Sequence, residues 1–299
     1  MEVVVFGAGS LGSLVGGRLA RVHDVTLVGR EPHVAAVRES GLRVTGVETF
    51  ETYPEATTDG TGLRADLAVV TVKAFDTAGA AADLATGSFE AVLSLQNGMG
   101  NESVLAAALD DPVLAGTTTD GARRGDPGVV EWTGRGTTVV GPWDPPTSPL
   151  TETVGEAFRA AGFDVEVVAD VHRRLWEKLA VNAAINPTTA LARVENGALR
   201  SGPAAETARA AAREAAAVAR AEGYDLADDE AVALAAAVIE ATAANRSSMC
   251  QDVAAGRRTE IDAIGGFLAD RADARGVSVP VTRTLLGLVR AWEAGRGLR

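Results

Sequence analysis

Of the 28 basic residues in this 299-residue chain, only Lys73 and Lys178 are lysines; the rest are arginines. An arginine keeps its proton in a protein, whereas a lysine can release one when its surroundings lower its pKa. The two lysines are therefore candidates for proton chemistry, the plain alternative being a base-composition bias that spared two by chance. Their positions favour chemistry. Lys178 lies in the helical segment Val171–Asn186, where Lys178, Asn182 and Asn186 recur at i, i+4 and i+8 and share one face. One ammonium and two carboxamides among Leu179, Ala180, Val181, Ala183 and Ala184 are costly to bury unpaired. The face reads as a polar site, against the plainer reading of a solvated face with a terminal cap. Pro187 disfavours helix at Asn186, so the helix is expected to end or kink there.

Lys73 sits in Thr71-Val72-Lys73-Ala74, at the end of an apolar run, and Gln96-Asn97-Gly98-Met99-Gly100 ends the next such run. Ligands bind outside the carboxyl edge of an open α/β sheet. Each motif alone is weak: Lys73 could be a surface lysine and Asn97-Gly98 an ordinary turn. The six asparagines, Asn97, Asn101, Asn182, Asn186, Asn196 and Asn245, all fall near motif segments, and none lies in the first 96 residues. Later in the chain, Asn245–Asp252 forms a dense polar patch between alanine-rich helices, and Arg258-Thr259-Glu260-Ile261-Asp262 opens the next one.

Gly7-Ala8-Gly9-Ser10-Leu11-Gly12 is a G-x-G-x-x-G turn that follows a strand and opens a helix, the context a dinucleotide site requires. Gly7 permits the tight turn, Gly9 lets the backbone approach a pyrophosphate, and Gly12 allows close helix–strand packing. The helix N-terminus attracts the negative charge. The second strand ends Val28-Gly29-Arg30, where NAD-preferring domains carry an acid. Arg30 suits a 2′-phosphate and points to NADP, although Glu31 follows directly and one register shift would put an acid there.

The elements that must position these residues alternate in the first half. Strands are expected at Glu2–Phe6, Val25–Val28, Leu67–Val72, Val92–Leu95 and Val113–Ala115, with a helix running to about Arg21. This rhythm predicts a parallel sheet with helices on both faces. Val129–Trp132 and Thr137–Val140 read as a hairpin, Pro142–Pro149 as a loop, Thr151–Ala161 as a helix and Phe163–Val168 as a closing strand. After about Asp170 nearly everything reads as helix: Val171–Asn186, Ala204–Glu222, Asp228–Asn245, Arg257–Arg275 and Val281–Ala294. The expected fold is an α/β N-terminal Rossmann-type dinucleotide-binding domain (residues 1–169) plus an all-α C-terminal domain (170–299).

The net charge of −12 argues against nucleic acid and against an anionic membrane surface. No apolar run reaches transmembrane length, and the N-terminus shows no basic leader. The lone Cys250 excludes an internal disulfide and fits a reducing cytoplasm. His23, His33 and His172 have no metal-ligand spacing, so no metal is expected.

Together, GAGSLG, VTVKA, QNGMG, AGTTTDGARR, LWEKLAVNAAINPTTAL, ENGALR, NRSSMCQD and RRTEIDAIGGFL span about residues 3–280. They resemble the ketopantoate reductase (2-dehydropantoate 2-reductase) family. The resemblance implies NADPH-dependent reduction of 2-dehydropantoate to (R)-pantoate on the route to coenzyme A. Hydride would pass from nicotinamide C4 to the keto carbon, with Lys178 as proton donor. Such a lysine works best with a pKa near ~7–8, and Arg173 and Arg174 are possible contributors. By the same resemblance, Asn97, Asn182, Asn186, Asn196 and Ser248 contact substrate. Cofactor contacts fall to the residues from Gly7 to Gly12 (Ala8, Gly9, Ser10 and Leu11 between them), and to Arg30, Lys73, Asn97, Ala122 and Glu260. Asp120, beside Ala122, is more acidic than expected near a cofactor.

Both NADPH and the substrate carboxylate are anions, so a chain at −12 must gather cations locally; Arg30, Lys73 and Lys178 are expected to supply them. Competing readings are a related 2-keto acid reductase, a nucleotide-sensing module without turnover, and an alanine-rich interaction domain fused to a nucleotide fold. The last leaves the polar stripe unexplained, and the sensor should have lost the proton donor. The alanine-rich half would also suit a homodimer.

Overall fold

A computed structural model describes residues 1–144 and 149–299. The chain divides into two compact units. The first comprises Met1–Gln96 and Asn101–Val171, the second Asn97–Gly100 and His172–Arg299.

The first unit runs β1 (Glu2–Phe6), α1 (Ser10–Leu19), β2 (Asp24–Val28), α2 (His33–Ser40), β3 (Leu42–Gly46), β4 (Phe50–Thr52), β5 (Glu55–Thr57), β6 (Arg64–Val70), α3 (Thr77–Leu84), β7 (Ser88–Ser94), α4 (Asn101–Ala108), β8 (Val113–Thr118), β9 (Gly121–Arg124), β10 (Val129–Gly134), β11 (Thr137–Pro142), α5 (Pro149–Ala160) and β12 (Asp164–Val167). Eight strands form one sheet in the order β12-β11-β8-β7-β6-β1-β2-β5, all parallel except the β11–β8 pair. The run Val3-Val4-Val5-Phe6 is apolar throughout because both faces of β1 are covered. Val3 and Val5 join the core layer of Leu14, Leu19 and Trp132, while Val4 and Phe6 join that of Leu84 and Leu105. The chain leaves β1 for β2 on one side and later fills β6 on the other. The strand order therefore reverses at β1, where the glycine turn begins.

A smaller sheet, β4-β3-β10-β9, packs on α1. It corrects the expected hairpin. β10 pairs with β9 and β3, whereas β11 pairs with β8 and β12 in the large sheet. The Trp132 indole explains the parting. It packs in the core beside α1, and its Nε1 donates to Asp120 and to the Gly134 carbonyl, which turns the chain out of β10. The hairpin is therefore β9–β10, one strand earlier. Pro142 closes β11 and Pro149 opens α5; of the expected proline loop, residues 145–148 lie outside the described residues.

The second unit is helical: α6 (Val171–Ala192), a 3-10 turn (Asn196–Arg200), α7 (Pro203–Ala221), α8 (Asp228–Ala241), α9 (Ser248–Ala254), a π-turn (Asp262–Gly266), α10 (Phe267–Arg275) and α11 (Pro280–Ala294). Buried alanines of α7 at helical spacing, from Ala205 to Ala219, let α8, α10 and α11 pack on it. Glu222, just past α7, holds Arg271 and Arg275 of α10.

Three expectations are corrected here. α6 does not end at Asn186 but runs through Pro187 to Ala192. A proline inside a helix costs about 3 kcal/mol. The whole stretch Ile185–Ala190 is buried, and tertiary packing rather than local propensity carries the helix through the proline. The polar patch after Asn245 is partly helix, because Ser247 caps α9 by accepting from the Cys250 N–H. The expected helix Arg257–Arg275 starts only at Ile261. Before it, the Thr259 N–H and hydroxyl are both taken by Glu293 Oε1, which pins the segment outside a helix.

Candidate functional site

In the first unit, the carboxyl ends of β2, β1, β6 and β7 align, with Phe6 opposite both Val28 and Val70, and Val70 opposite Ser94. The residues that follow, Gly7, Arg30, Lys73 and Gln96, lie beyond one edge of the sheet. Gly7 has φ +115°, and a Cβ there would come within 2.7 Å of the Val72 nitrogen. A Cβ on Gly12 would lie 2.1 Å from the Gly7 carbonyl oxygen and 2.4 Å from Thr71 Oγ1. Thr71 Oγ1 donates to that same carbonyl at 2.9 Å, locking the turn to β6. Around Gly9 the nearest atom to such a Cβ is 3.9 Å away, so its outer side is open. The first intrahelical bond of α1 runs from Ser13 N–H to the Gly9 carbonyl, and no side chain caps the N–H groups before it. An open glycine, uncapped N–H groups and a helix N-terminus make a cradle that fits a dinucleotide pyrophosphate.

Around the turn, Ser10 Oγ accepts from the Arg124 N–H of β9, and Ala122 of that strand and Leu11 each pack against the core. Asp120, the unexpected acid, is turned inward. It meets Arg18 at 3.3 Å and accepts from Trp132 Nε1, and burial pushes its carboxyl up against the pull of Arg18. Glu31 Oε2 accepts from the Ala35 N–H in the first turn of α2. The exposed Arg30 reaches Asp76 Oδ2 at 2.7 Å. Lys73 is half-buried and precedes the 3-10 turn Ala74–Asp76, the Asp76 N–H bonding its carbonyl at 2.7 Å. His33 is buried beneath. Gly128 N–H donates to its Nδ1, so Nε2 carries the proton toward Ser13 Oγ.

In the second unit, Lys178, Asn182 and Asn186 lie along α6 as their spacing implied, Lys178 and Asn182 half-buried and Asn186 buried. Thr189, one turn on, bonds Ser247 Oγ at 2.8 Å, tying α6 to the cap of α9 and fixing where the exposed Ser248 begins that helix. Arg173 and Arg174 both reach Glu177, and Arg173 also reaches Glu230.

Asn97 belongs to this unit with Gly98, Met99 and Gly100. The Met99 N–H bonds the Ala263 carbonyl at 3.0 Å, and Gly98, at φ +82°, sits against Ala263 too closely for a Cβ. This anchoring brings Asn97 Nδ2 to Glu260 Oε2 at 3.3 Å. Asn196 sits in the 3-10 turn, with its Nδ2 on Thr242 Oγ1. The supporting residues were missed from sequence: Glu293, Ser247, Thr71 and Asp76. Glu293 is fully buried and is held by Thr259 and Arg299, setting the backbone beside Glu260. The one visible signal was an acid in the apolar stripe of the last helix. Among the described residues there is no cluster of metal-ligating side chains, and no helix is long and apolar enough to cross a membrane.

Comparison with known proteins accounts for both units. The family described as Ketopantoate reductase PanE/ApbA matches residues 3–145, and its C-terminal domain matches 170–293. The 2-dehydropantoate 2-reductase of Halobacterium salinarum is 46% identical over 298 residues, covering 97% of this chain and 98% of that one. That of Archaeoglobus fulgidus is 43% identical, covering 98% of each. A crystal structure of a PanE/ApbA family ketopantoate reductase from Ralstonia eutropha superposes with TM-score 0.90 at 36% identity, covering 99% of this chain and all of the other. D-mandelate dehydrogenase, at TM-score 0.94 but 24% identity, shares the fold. The glycine cradle at the switch of a parallel sheet fits a dinucleotide, and the match to reductases over nearly the whole chain marks an oxidoreductase. More narrowly, the chain belongs to the ketopantoate reductase family.

Proposed function

We propose that the enzyme reduces 2-dehydropantoate to (R)-pantoate with NADPH, residues 1–169 binding the dinucleotide and 170–299 the substrate. The observation that carries this reading is the stripe on α6, where the only lysine of the helical unit shares a face with Asn182 and Asn186. A reduced nicotinamide, when bound, supplies the hydride that the keto carbon accepts. Lys178 Nζ gives a proton to the oxygen that gains charge, and water restores that proton. The carboxamides of Asn182 and Asn186 each offer a donor and an acceptor, which suits the carboxylate and hydroxyl of a hydroxy-keto acid. Ser248 adds a hydroxyl at the start of α9. Asn97 and Glu260 hold each other and can present an acceptor to the substrate hydroxyl.

The cofactor choice rests on the end of β2. Glu31 is committed to the Ala35 N–H, so the side chain left to meet an adenosine ribose there is the cation Arg30, which suits a 2′-phosphate. Lys73 and the backbone near Ala122 complete the dinucleotide contacts. The single thiol, Cys250, suits a reducing cytoplasm. The test is a steady-state assay with 2-dehydropantoate and simpler 2-keto acids, each with NADPH and NADH in parallel. The expected result is highest kcat/KM for 2-dehydropantoate with NADPH. Preference for another 2-keto acid would overturn the substrate, and preference for NADH would overturn the role of Arg30.

A further inference from the structure

The helical unit neutralises most of its arginines with carboxylates, from Arg173 on α6 to Arg299 at the C-terminus. Among the described residues of this unit, Arg193, Arg213, Arg246 and Arg296 have no such partner. Three of these four, Arg193, Arg246 and Arg296, line one cavity of about 440 Å³ with Cys250, Val253, Ala254 and Gly256. Gathering three like charges is unfavourable, and in an acid-rich chain a carboxylate partner would be easy to supply. Helix dipoles explain two of the three. Arg193 follows the end of α6 and Arg296 the end of α11, where a cation is stabilised. Arg246 instead precedes the Ser247 cap of α9, the end where a cation is disfavoured.

Other features point the same way. Arg193 is the only non-glycine residue among those described with a positive φ, at 57°, a conformation that costs about 1–2 kcal/mol. The Arg296 guanidinium lies 4.4 Å above the Trp292 ring, which fixes its plane and leaves its N–H edge available. None of the described residues that line the cavity is acidic. The buried Cys250 thiol points to the Val194 carbonyl, and burial pushes its pKa up despite the pull of Arg246 and Arg193. None of Lys178, Asn182, Asn186, Asn196 and Ser248 lines this cavity.

We propose that this cavity is a binding site for a small organic phosphate. The doubly charged head meets the three guanidiniums, whose planar N–H forks match phosphate oxygens, and an apolar portion lies over Val253 and Ala254. The volume is within the range of small-ligand sites, roughly 300–1,000 Å³. The test is calorimetric titration of inorganic pyrophosphate into protein saturated with NADPH, so that the glycine cradle is occupied. Saturable binding is expected in the parent, weakened roughly tenfold or more in the R246A/R296A double variant. Retention of the parent's turnover by that variant shows that it is folded. Binding that vanishes once NADPH is present, or that is equal in parent and variant, overturns the proposal.

Discussion

In the proposed function, the glycine turn of the first unit and the polar face of α6 in the second bind by opposite means. The turn works with main chain alone. At Gly7 and Gly12 any side chain collides with backbone, and what it offers a ligand is N–H groups and a helix end. The face on α6 is carried by a helical backbone, and the function proposed for it would lie at the ends of Lys178, Asn182 and Asn186. A backbone site therefore fails sterically and as a whole, whereas a side-chain site loses one capacity at a time.

The largest effect should come from the side-chain site. Replacing Lys178 by alanine removes the proposed proton donor, and kcat should fall roughly 10²–10⁴-fold while NADPH affinity, read by fluorescence titration, stays near that of the parent. Lys178→Arg tests the chemistry directly. It restores the charge but not a removable proton, so turnover should remain low. Near-normal kcat in either variant would remove Lys178 from the mechanism.

Gly12→Ala should do the reverse. Its Cβ would sit 2.1 Å from the Gly7 carbonyl, and the turn must move. Overpacking of this kind costs about 1–3 kcal/mol, so dinucleotide affinity and thermal stability should fall together. Binding of 2-dehydropantoate by the helical unit is expected to suffer less. An unchanged dinucleotide Kd would show that the cradle is not the binding site.

The same contrast decides what was legible in the sequence. The glycine turn could be read because each glycine answers a local steric demand, and Lys178, Asn182 and Asn186 because helical spacing alone aligns them. The β10–β11 hairpin was misread because its parting depends on Trp132 and Asp120 meeting in three dimensions. Strands β3, β4, β5 and β9 are short and carry exposed arginine or glutamate, so no apolar run announces them. The continuation of α6 through Pro187 reflects tertiary burial overriding a local preference. Glu293 showed only as an acid in an apolar stripe, and its role was hidden because its partners, Thr259 and Arg299, are supplied by a loop and the chain end.

Arg30 brings side-chain behaviour to the edge of the backbone site. Its ion pair with Asp76 is largely exposed on the arginine side, and such pairs hold weakly, so a 2′-phosphate can compete for the guanidinium. Arg30→Ala should lower the NADPH-over-NADH ratio of kcat/KM by roughly tenfold, the worth of one charge-assisted contact. Asp76→Asn should raise that ratio by freeing the guanidinium and removing a negative charge. If both variants leave the ratio unchanged, Arg30 does not read the 2′-position.

The smallest effects separate the units by pH. His33, under the glycine turn, is held neutral, and burial sets its pKa below the ordinary 6.5, with Arg124 adding to the shift. Its unfolded form binds a proton first as pH falls, so the first unit loses stability from about pH 6.5 downward, through the lowered folded value. Glu222, behind α7, is held ionised by hydrogen bonds from Arg271 and then Arg275, which set its pKa below the ordinary 4.5. Its contribution is full above that value and is lost only as pH falls through the lower folded one. Amide hydrogen exchange followed from neutral to acid pH should therefore show protection fading in α1 and β10 before α7 and α10. His33→Gln should reduce the fading of α1 below pH 6.5 without altering that of α10. Loss of protection first in α10 would reverse the order and show that a buried neutral imidazole is not the weaker point.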